Sequence, residues 1–376
     1  MSRGNVLVVG GGIGGLSTAI ALRNADYEVT ILELRPDMDS SIFGVGIIQP
    51  TNALRALDAI GCLEPCLEIG YEAKQWARKL DVDGNLMHDI PGARIEGYAP
   101  LNGVTRPALH TILTNKALEV GAVLRYGATF TDIVDNGENV TVTLNDDTTE
   151  TYDFVVGADG VRSKVRTYVL AEELRPQYIG QSAFRMNLPR LPEIDCIVLQ
   201  EGTKGMAGYV PIGPDLAYVF YNAAWPDRNI RPTPEELPQV FREHLAEFGG
   251  LTARIRDEYI KDDSEIVLRP EESLISPAPW HKGRIVLIGD AVHSVTPHLG
   301  QGAAQAIEDG VVLAEAVTKY RDLDEAFAHY TERRYERCKM IVDVSRRIGE
   351  WELDQSIEFD HSAETQRVIE SMVAPI

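Results

Sequence analysis

Apolar and polar positions along the chain fall into short strand-like runs separated by helical stretches. Asn5–Val9 reads NVLVV, a buried-strand pattern, and the LSTAIALRNA that follows repeats Leu16, Ala19, Ile20 and Ala21 at helical spacing. Residues 28–32 (EVTIL) predict a second strand, and residues 154–156 and 285–288 predict two more that stop at glycine. Val140–Leu144, a turn at Asn145-Asp146 and residues 148–154 read as a meander. Residues 75–82 and 85–90 flank Asp83-Gly84, which signals a hairpin. Alternation returns at 197–200, 208–211 and 216–222, ahead of a helix near 235–248 opened by Thr233-Pro234. Residues 303–316 and the chain from Arg333 onward read as helices. Strands that alternate with helices predict an α/β fold with an inserted region rich in β-structure.

Composition narrows the class. A chain of 376 residues, 44% hydrophobic and 25% charged, buries a full core and suggests two domains. Lys+Arg is 36 against Asp+Glu 57, a net charge of −21 that repels nucleic acid and anionic membrane surfaces. The four cysteines, Cys62, Cys66, Cys196 and Cys338, form no disulfide framework or metal pattern, which fits a reducing cytoplasm. No apolar run is long enough to span a membrane. The apolar N-terminus lacks the basic region of a signal peptide.

Three glycine-rich turns carry the candidate chemistry. Gly10-Gly11-Gly12-Ile13-Gly14-Gly15 lies between the first strand and its helix, so G-x-G-x-x-G stands in the context a dinucleotide fingerprint requires. Gly10 permits the tight turn, Gly12 lets backbone approach a pyrophosphate, and Gly15 lets helix and strand pack closely. Glu33 ends the second strand 18 residues past Gly15, near the offset of the ribose carboxylate. This unit alone does not separate NAD from FAD. Gly157-Ala158-Asp159-Gly160 follows another apolar strand and precedes Arg162, Lys164 and Arg166, a turn suited to phosphates or simply a β-turn before a solvated face. Gly289-Asp290 closes the strand at 285–288, where a carboxylate faces the ligand crevice or serves as a turn residue. Pro297 and Gly300-Gln301-Gly302 then lead into a helix.

Together these segments resemble the flavoprotein monooxygenases of the para-hydroxybenzoate hydroxylase family over roughly residues 4–345. The resemblance implies a discontinuous Rossmann-like FAD-binding domain (1–72, 100–177 and 268–349), a β-sheet-rich substrate domain (73–99 and 178–267) and a C-terminal helical tail (350–376). It implies noncovalent FAD, with NAD(P)H as a transient co-substrate and O₂ activated as a C4a-hydroperoxyflavin that hydroxylates a small aromatic ring. Gly10, Gly12 and Gly15 then hold the pyrophosphate and Glu33 the adenosine ribose. Gly44-Val45-Gly46-Ile47 resembles the loop beside the flavin, with Val45 lending backbone contacts, and Arg106 starts the helix that reaches the cofactor. Asp159 matches the motif linked to both FAD and NAD(P)H, and Asp290 matches the ribityl carboxylate. Gly302 and Ala303 aim a helix start at the pyrimidine ring, and Pro297 lies by the reactive flavin edge. Ile13, Gly14, Leu34, Arg35, Phe130, Gly160 and Gly300 complete the implied cofactor set. Two departures stand out: Ala304 where many relatives have Asn, and Thr51-Asn52 after Pro50 where relatives often have Pro-Asn. A single fingerprint leaves NAD(P)H no Rossmann unit of its own.

Candidates for substrate contact come from the inserted strands. Tyr218 shares a strand face with Phe220 and is either a pocket tyrosine or a packed sheet aromatic. Arg185 could pair an anionic substrate or sit solvated on its strand. His298, beside Pro297, could face the flavin edge, whereas His293 is expected to order its turn and His110 to pack in its helix. The eight histidines show no ligand spacing, so no metal is expected. The expected protein is a cytoplasmic monomer or homodimer. The alternatives are a same-fold epoxidase, a reductase acting on an isoprenoid, or a non-enzymatic flavoprotein redox module.

Overall fold

The computed structural model describes residues 2–38, 45–170, 172–203 and 205–376. Its first layer is a six-stranded sheet in the order His281–Lys282, Ile285–Leu287, Phe154–Gly157, Asn5–Val9, Glu28–Glu33 and Val123–Tyr126. All neighbours are parallel except the short His281–Lys282 strand. Asn5–Val9 is flanked on both sides and nearly fully buried, which explains its unbroken apolar run. The helices Ile13–Asn24 and Gly302–Lys319 pack on this sheet and on each other. They approach so closely that a Cβ on Gly310 would lie 2.8 Å from the Thr18 backbone nitrogen.

Residues 148–154, expected as one strand, form two. Thr149–Tyr152 closes the meander with Val140–Leu144 and Phe130–Asp135, and Phe154–Gly157 joins the parallel sheet. The break falls at Asp153, whose backbone N–H donates to the Asn5 carbonyl and whose carboxylate accepts from the Asn5 N–H at 2.6 Å. That exchange steers the chain from one sheet into the other.

A second, seven-stranded sheet runs in the order Val267–Ser273, Gln177–Pro189, Leu216–Ala224, Met206–Pro211, Ile197–Glu201, Ala77–Leu80 and Leu86–Ile90. It continues to Ser273, past the expected boundary at 267, because Val267–Ser273 pairs along Gln177–Pro189. One face buries Phe184, Tyr209 and Tyr221 under the helices Leu237–His244 and Gly250–Glu258. Phe184 stacks on Phe241 with ring centroids 5.0 Å apart. The helix expected at 235–248 is thus shorter, with Pro238 in its first turn.

Period-2 alternation sends Arg185, Tyr218, Phe220 and Asn222 to the opposite face of that sheet. A three-stranded sheet (Gly46–Pro50, Leu101–Thr105, Tyr71–Ala73) lies between the two larger sheets in chain connectivity. The long helix Leu323–Leu353 and the last helix, His361–Ser371, complete the fold.

Candidate active site

The glycine turns converge because each follows the C-terminal end of a parallel strand. Gly12–Gly14, Ala158 and Gly160, Gly289–Asp290, and Gly300, Gly302 and Ala303 all border one cavity of about 370 Å³. Gly10 has φ +112, and a Cβ on Gly15 would lie 1.9 Å from the Gly10 carbonyl oxygen, so the turn tolerates glycine alone at both places. A Cβ on Gly12 would meet nothing within 4 Å, so this backbone faces open space in the cavity. Arg106 lines the same space at the first position of its helix, which Thr105 caps by accepting from the Ala108 N–H at 3.2 Å. Val45 is mostly buried and lends its carbonyl to the Arg106 N–H at 3.4 Å, whereas Gly44 lies outside the described residues.

Asp290 is exposed to the cavity yet ringed by protein. That enclosure raises its carboxyl pKa, with His293 and Arg106 pulling it back. Enclosure likewise lowers the Arg106 pKa, which Asp290 opposes and Arg185 reinforces. Backbone amides along this cavity, with the Arg106 guanidinium and the Asp290 carboxylate beside them, form a set of polar groups that fits FAD.

Several expected cofactor residues stand away from this cavity. Glu33 accepts from the Gly11 N–H through Oε2 at 2.9 Å and from the Arg35 N–H through Oε1 at 2.9 Å, so it braces the glycine turn. Leu34 is 70% exposed. The Asp159 carboxylate accepts from Ser163 Oγ and from the Lys164 and Val165 N–H groups, which spends it inside its own turn. Phe130 is a core residue, edge-on to Tyr168 at 6.0 Å, because its meander position points inward. Arg166, expected as part of a phosphate-facing helix start, is buried and donates to the Ala291 carbonyl, tying two of the turns together.

His110 does more than pack: its Nε2 lies 2.8 Å from the Gly11 carbonyl, supporting the glycine turn from below. His293 orders its turn through Asp309, 2.6 Å away, and Asp309 also accepts from the Gly289 N–H at 2.8 Å. Asp309 and Glu308 are both held by Arg334, at 2.7 and 2.6 Å, in a fully buried cluster that sequence reasoning missed. An acidic pair inside the apolar helix run AAQAIEDGVVLAEA was its only sequence signal. His293, Asp309 and Cys338 bring ligand atoms within 4.8 Å, but the Arg334 guanidinium contacts both Asp309 and Cys338, and a metal ion would be repelled there.

Tyr218, Arg185 and Pro297 line the cavity together, although their strands and turn are far apart in sequence. Tyr218 packs its ring over Gly46, where a Cβ would lie 2.5 Å from the ring. Burial raises the Tyr218 pKa, with Arg185 opposing, so its hydroxyl keeps its proton at neutral pH. His298 lines a narrower adjoining cavity with Tyr218 and Pro297 rather than the flavin-side one. Its ring has no exposed surface and turns from the flavin-side cavity toward Glu352 at 3.3 Å and Glu271 at 3.6 Å. Burial opposes the His298 cation, but Glu352 and Glu271 still raise its pKa. Burial pushes Glu271 up to about 7.

Comparison with known proteins agrees with this geometry. The family described as FAD binding domain matches residues 3–345. The chain is 32% identical over 352 residues to the putative FAD-dependent monooxygenase YetM of Bacillus subtilis, covering 92% of each. It is 30% identical over 359 residues to 6-hydroxynicotinate 3-monooxygenase of Pseudomonas fluorescens, covering 90% of each. The solved structure of Klebsiella pneumoniae HpxO complexed with FAD and uric acid superposes with a TM-score of 0.85 at 21% identity, over 98% of this chain and 95% of that one.

Proposed function

The chain belongs to the FAD binding domain family and is an FAD-dependent monooxygenase, and from that premise we propose that it consumes NAD(P)H and O₂ to hydroxylate a small aromatic or heteroaromatic ring. The observation that carries this reading is a chamber walled by Tyr218, Phe220, Trp76 and Pro297 that adjoins the cavity formed by the glycine turns. When bound, FAD supplies hydride acceptance and oxygen activation. The protein supplies position, dryness and protons.

Gly12–Gly14 and the start of the Gly302–Lys319 helix offer amides to the cofactor, with Arg106 and Asp290 fixing its orientation. Arg185 and Tyr218 hold the ring oxygen of the substrate, the former as a cation and the latter as a neutral donor. Apolar walls exclude water while oxygen is transferred. NAD(P)H acts transiently in this reading, since the chain carries a single fingerprint. Among the described residues, no helix is long and apolar enough to cross a membrane.

The test is a panel of phenols, pyridones and fused heteroaromatics scored for stimulated NAD(P)H oxidation, O₂ dependence and gain of one oxygen by product mass. Stimulated, oxygen-dependent turnover with that mass gain supports the proposal. Turnover that persists without O₂, or a preparation that binds no FAD, overturns it.

A further inference from the structure

Behind the flavin-side cavity lies a smaller, enclosed one of about 50 Å³. Ile48, Arg185, Tyr218, Pro297 and Gly300 line both, so the two are the wide and narrow ends of one chamber. The narrow end has apolar sides, among them Trp76, Leu199 and Phe220. Besides His298 Nε2, which faces Glu352 at 3.3 Å, three side chains on its wall carry polar atoms with no hydrogen-bond partner: Asn222 Oδ1, His361 Nδ1 and Thr365 Oγ1. All three residues are at least 95% buried, at 2%, 5% and 4% exposure. Buried polar groups left unpaired are costly, and convergence of three on one cavity points to a ligand that completes them.

The chemistry each atom asks for can be worked out. Asn222 Nδ2 lies 3.3 Å from Glu352 Oε2. Burial disfavours the Glu352 carboxylate, yet His298 and Gln181 hold its pKa below the usual range, so it stays ionised and only accepts. The Asn222 amide must therefore turn its oxygen to the cavity, where it needs a donor. Burial, aided by Lys79, pushes the His361 pKa down to about 4, so its ring is neutral at pH 7 and brings no charge to the site. The Thr365 hydroxyl donates or accepts. Two cationic groups stand on the wall: His298, whose pKa is raised against the effect of burial by Glu352 and Glu271 at 3.3 and 3.6 Å, and Arg185, at the junction of the two ends. Arg185 pairs across from Phe220 while Asn222 pairs with Ala183, so Arg185 and Asn222 are diagonal neighbours on one sheet face.

Resting on the ring-hydroxylation reading above, we propose that the narrow end is a recognition subsite for an uncharged heteroaromatic ring bearing an N–H donor. The N–H meets Asn222 Oδ1, the ring oxygen turns toward Arg185, and Thr365 and His361 on the last helix close the polar end. A carboxylated ring fits this subsite poorly, because the His298 on its wall is already paired with Glu352 and Glu271 and its His361 is neutral.

The test uses the oxidised, FAD-loaded full chain and follows the visible flavin absorbance during titration. The probes are 4(1H)-quinolone, chromen-4-one (the same bicycle with oxygen replacing N–H) and 3-hydroxybenzoate. The wild type should bind the quinolone at least about tenfold more tightly than chromen-4-one. Asn222→Leu should bring the two within about threefold of each other, and Thr365→Val should narrow the gap while flavin content and melting temperature hold. If Asn222→Leu does not fold, the near-isosteric Thr365→Val carries the test.

Equal binding of quinolone and chromen-4-one by the wild type, an undiminished preference in the variants, or tighter binding of 3-hydroxybenzoate overturns the proposal. Hydroxylation of carboxylated rings with no N–H preference would leave ring hydroxylation standing and remove only this subsite. Failure of every ring to stimulate NAD(P)H oxidation would remove ring hydroxylation, and the binding titration would still decide on the N–H preference.

Discussion

Arg334→Met should show how a buried charge cluster shapes the flavin site without touching it. Arg334 has no exposed side-chain surface and bridges Glu308 at 2.6 Å and Asp309 at 2.7 Å, both equally buried. Removing one partner from such a cluster costs about 3–5 kcal/mol, because charges remain buried without compensation. Arg337 still holds Glu308 at 2.8 Å and His293 still holds Asp309 at 2.6 Å, which places the expected loss near the lower end. Against a total stability of about 5–15 kcal/mol, the variant should fold but melt early.

The acid limb gives a second readout of the same cluster. Burial opposes the Asp309 carboxylate, but His293 and Arg334 lower its pKa from 3.8 to about 2. A depressed carboxyl stabilises the fold above its unfolded pKa, here by roughly 2 kcal/mol, and that contribution is lost as pH falls from about 4 toward 2. In Arg334→Met the Asp309 pKa should rise, so this acid-dependent contribution shrinks. Urea unfolding at pH 7 and across the acid range measures both effects. Because Asp309 accepts from the Gly289 N–H, FAD should also dissociate more readily, read by flavin fluorescence. A stability loss under about 1 kcal/mol together with unchanged FAD affinity would refute the reasoning.

Gly15→Ala should yield a colourless or insoluble protein, since its Cβ would sit 1.9 Å from the Gly10 carbonyl oxygen; a yellow, stable variant would contradict the turn geometry. Arg106→Lys should weaken flavin binding and turnover, because a planar fork directs bonds that an ammonium cannot; equilibrium titration of the apoprotein with FAD checks this. Tyr218→Phe keeps the ring on Gly46 and removes only the hydroxyl. An orienting hydrogen bond worth about 1–3 kcal/mol corresponds to a roughly tenfold to hundredfold loss of productive placement. Product per NAD(P)H should therefore fall and H₂O₂ rise, with melting temperature nearly unchanged. A lower melting temperature with unaltered coupling would assign Tyr218 to packing alone.

The amino-acid sequence by itself determined the parts of this protein that are local. A buried strand, a turn that only glycine can make and a helix must follow one another within about twenty residues, so Gly10–Gly15 and the second strand were legible as one unit. The same holds for Gly289-Asp290 and for Gly300, Gly302 and Ala303, whose backbone geometry is set by their own residues and which do line the cavity.

Only the tertiary structure decided what the polar side chains do. Nothing in the sequence distinguishes an Asp159 that meets a ligand from one that caps its own turn, or a His298 that faces the flavin from one buried against Glu271 and Glu352. The Arg334 cluster joins residues 25 and 26 positions apart, and the narrow subsite joins Asn222 to a helix that begins 139 residues later. Such contacts leave no periodic trace, because burial and pairing partners arise only when distant elements pack. The helical tail was legible as helix from its pattern, but its place over the substrate chamber was fixed by the sheet face it had to cover.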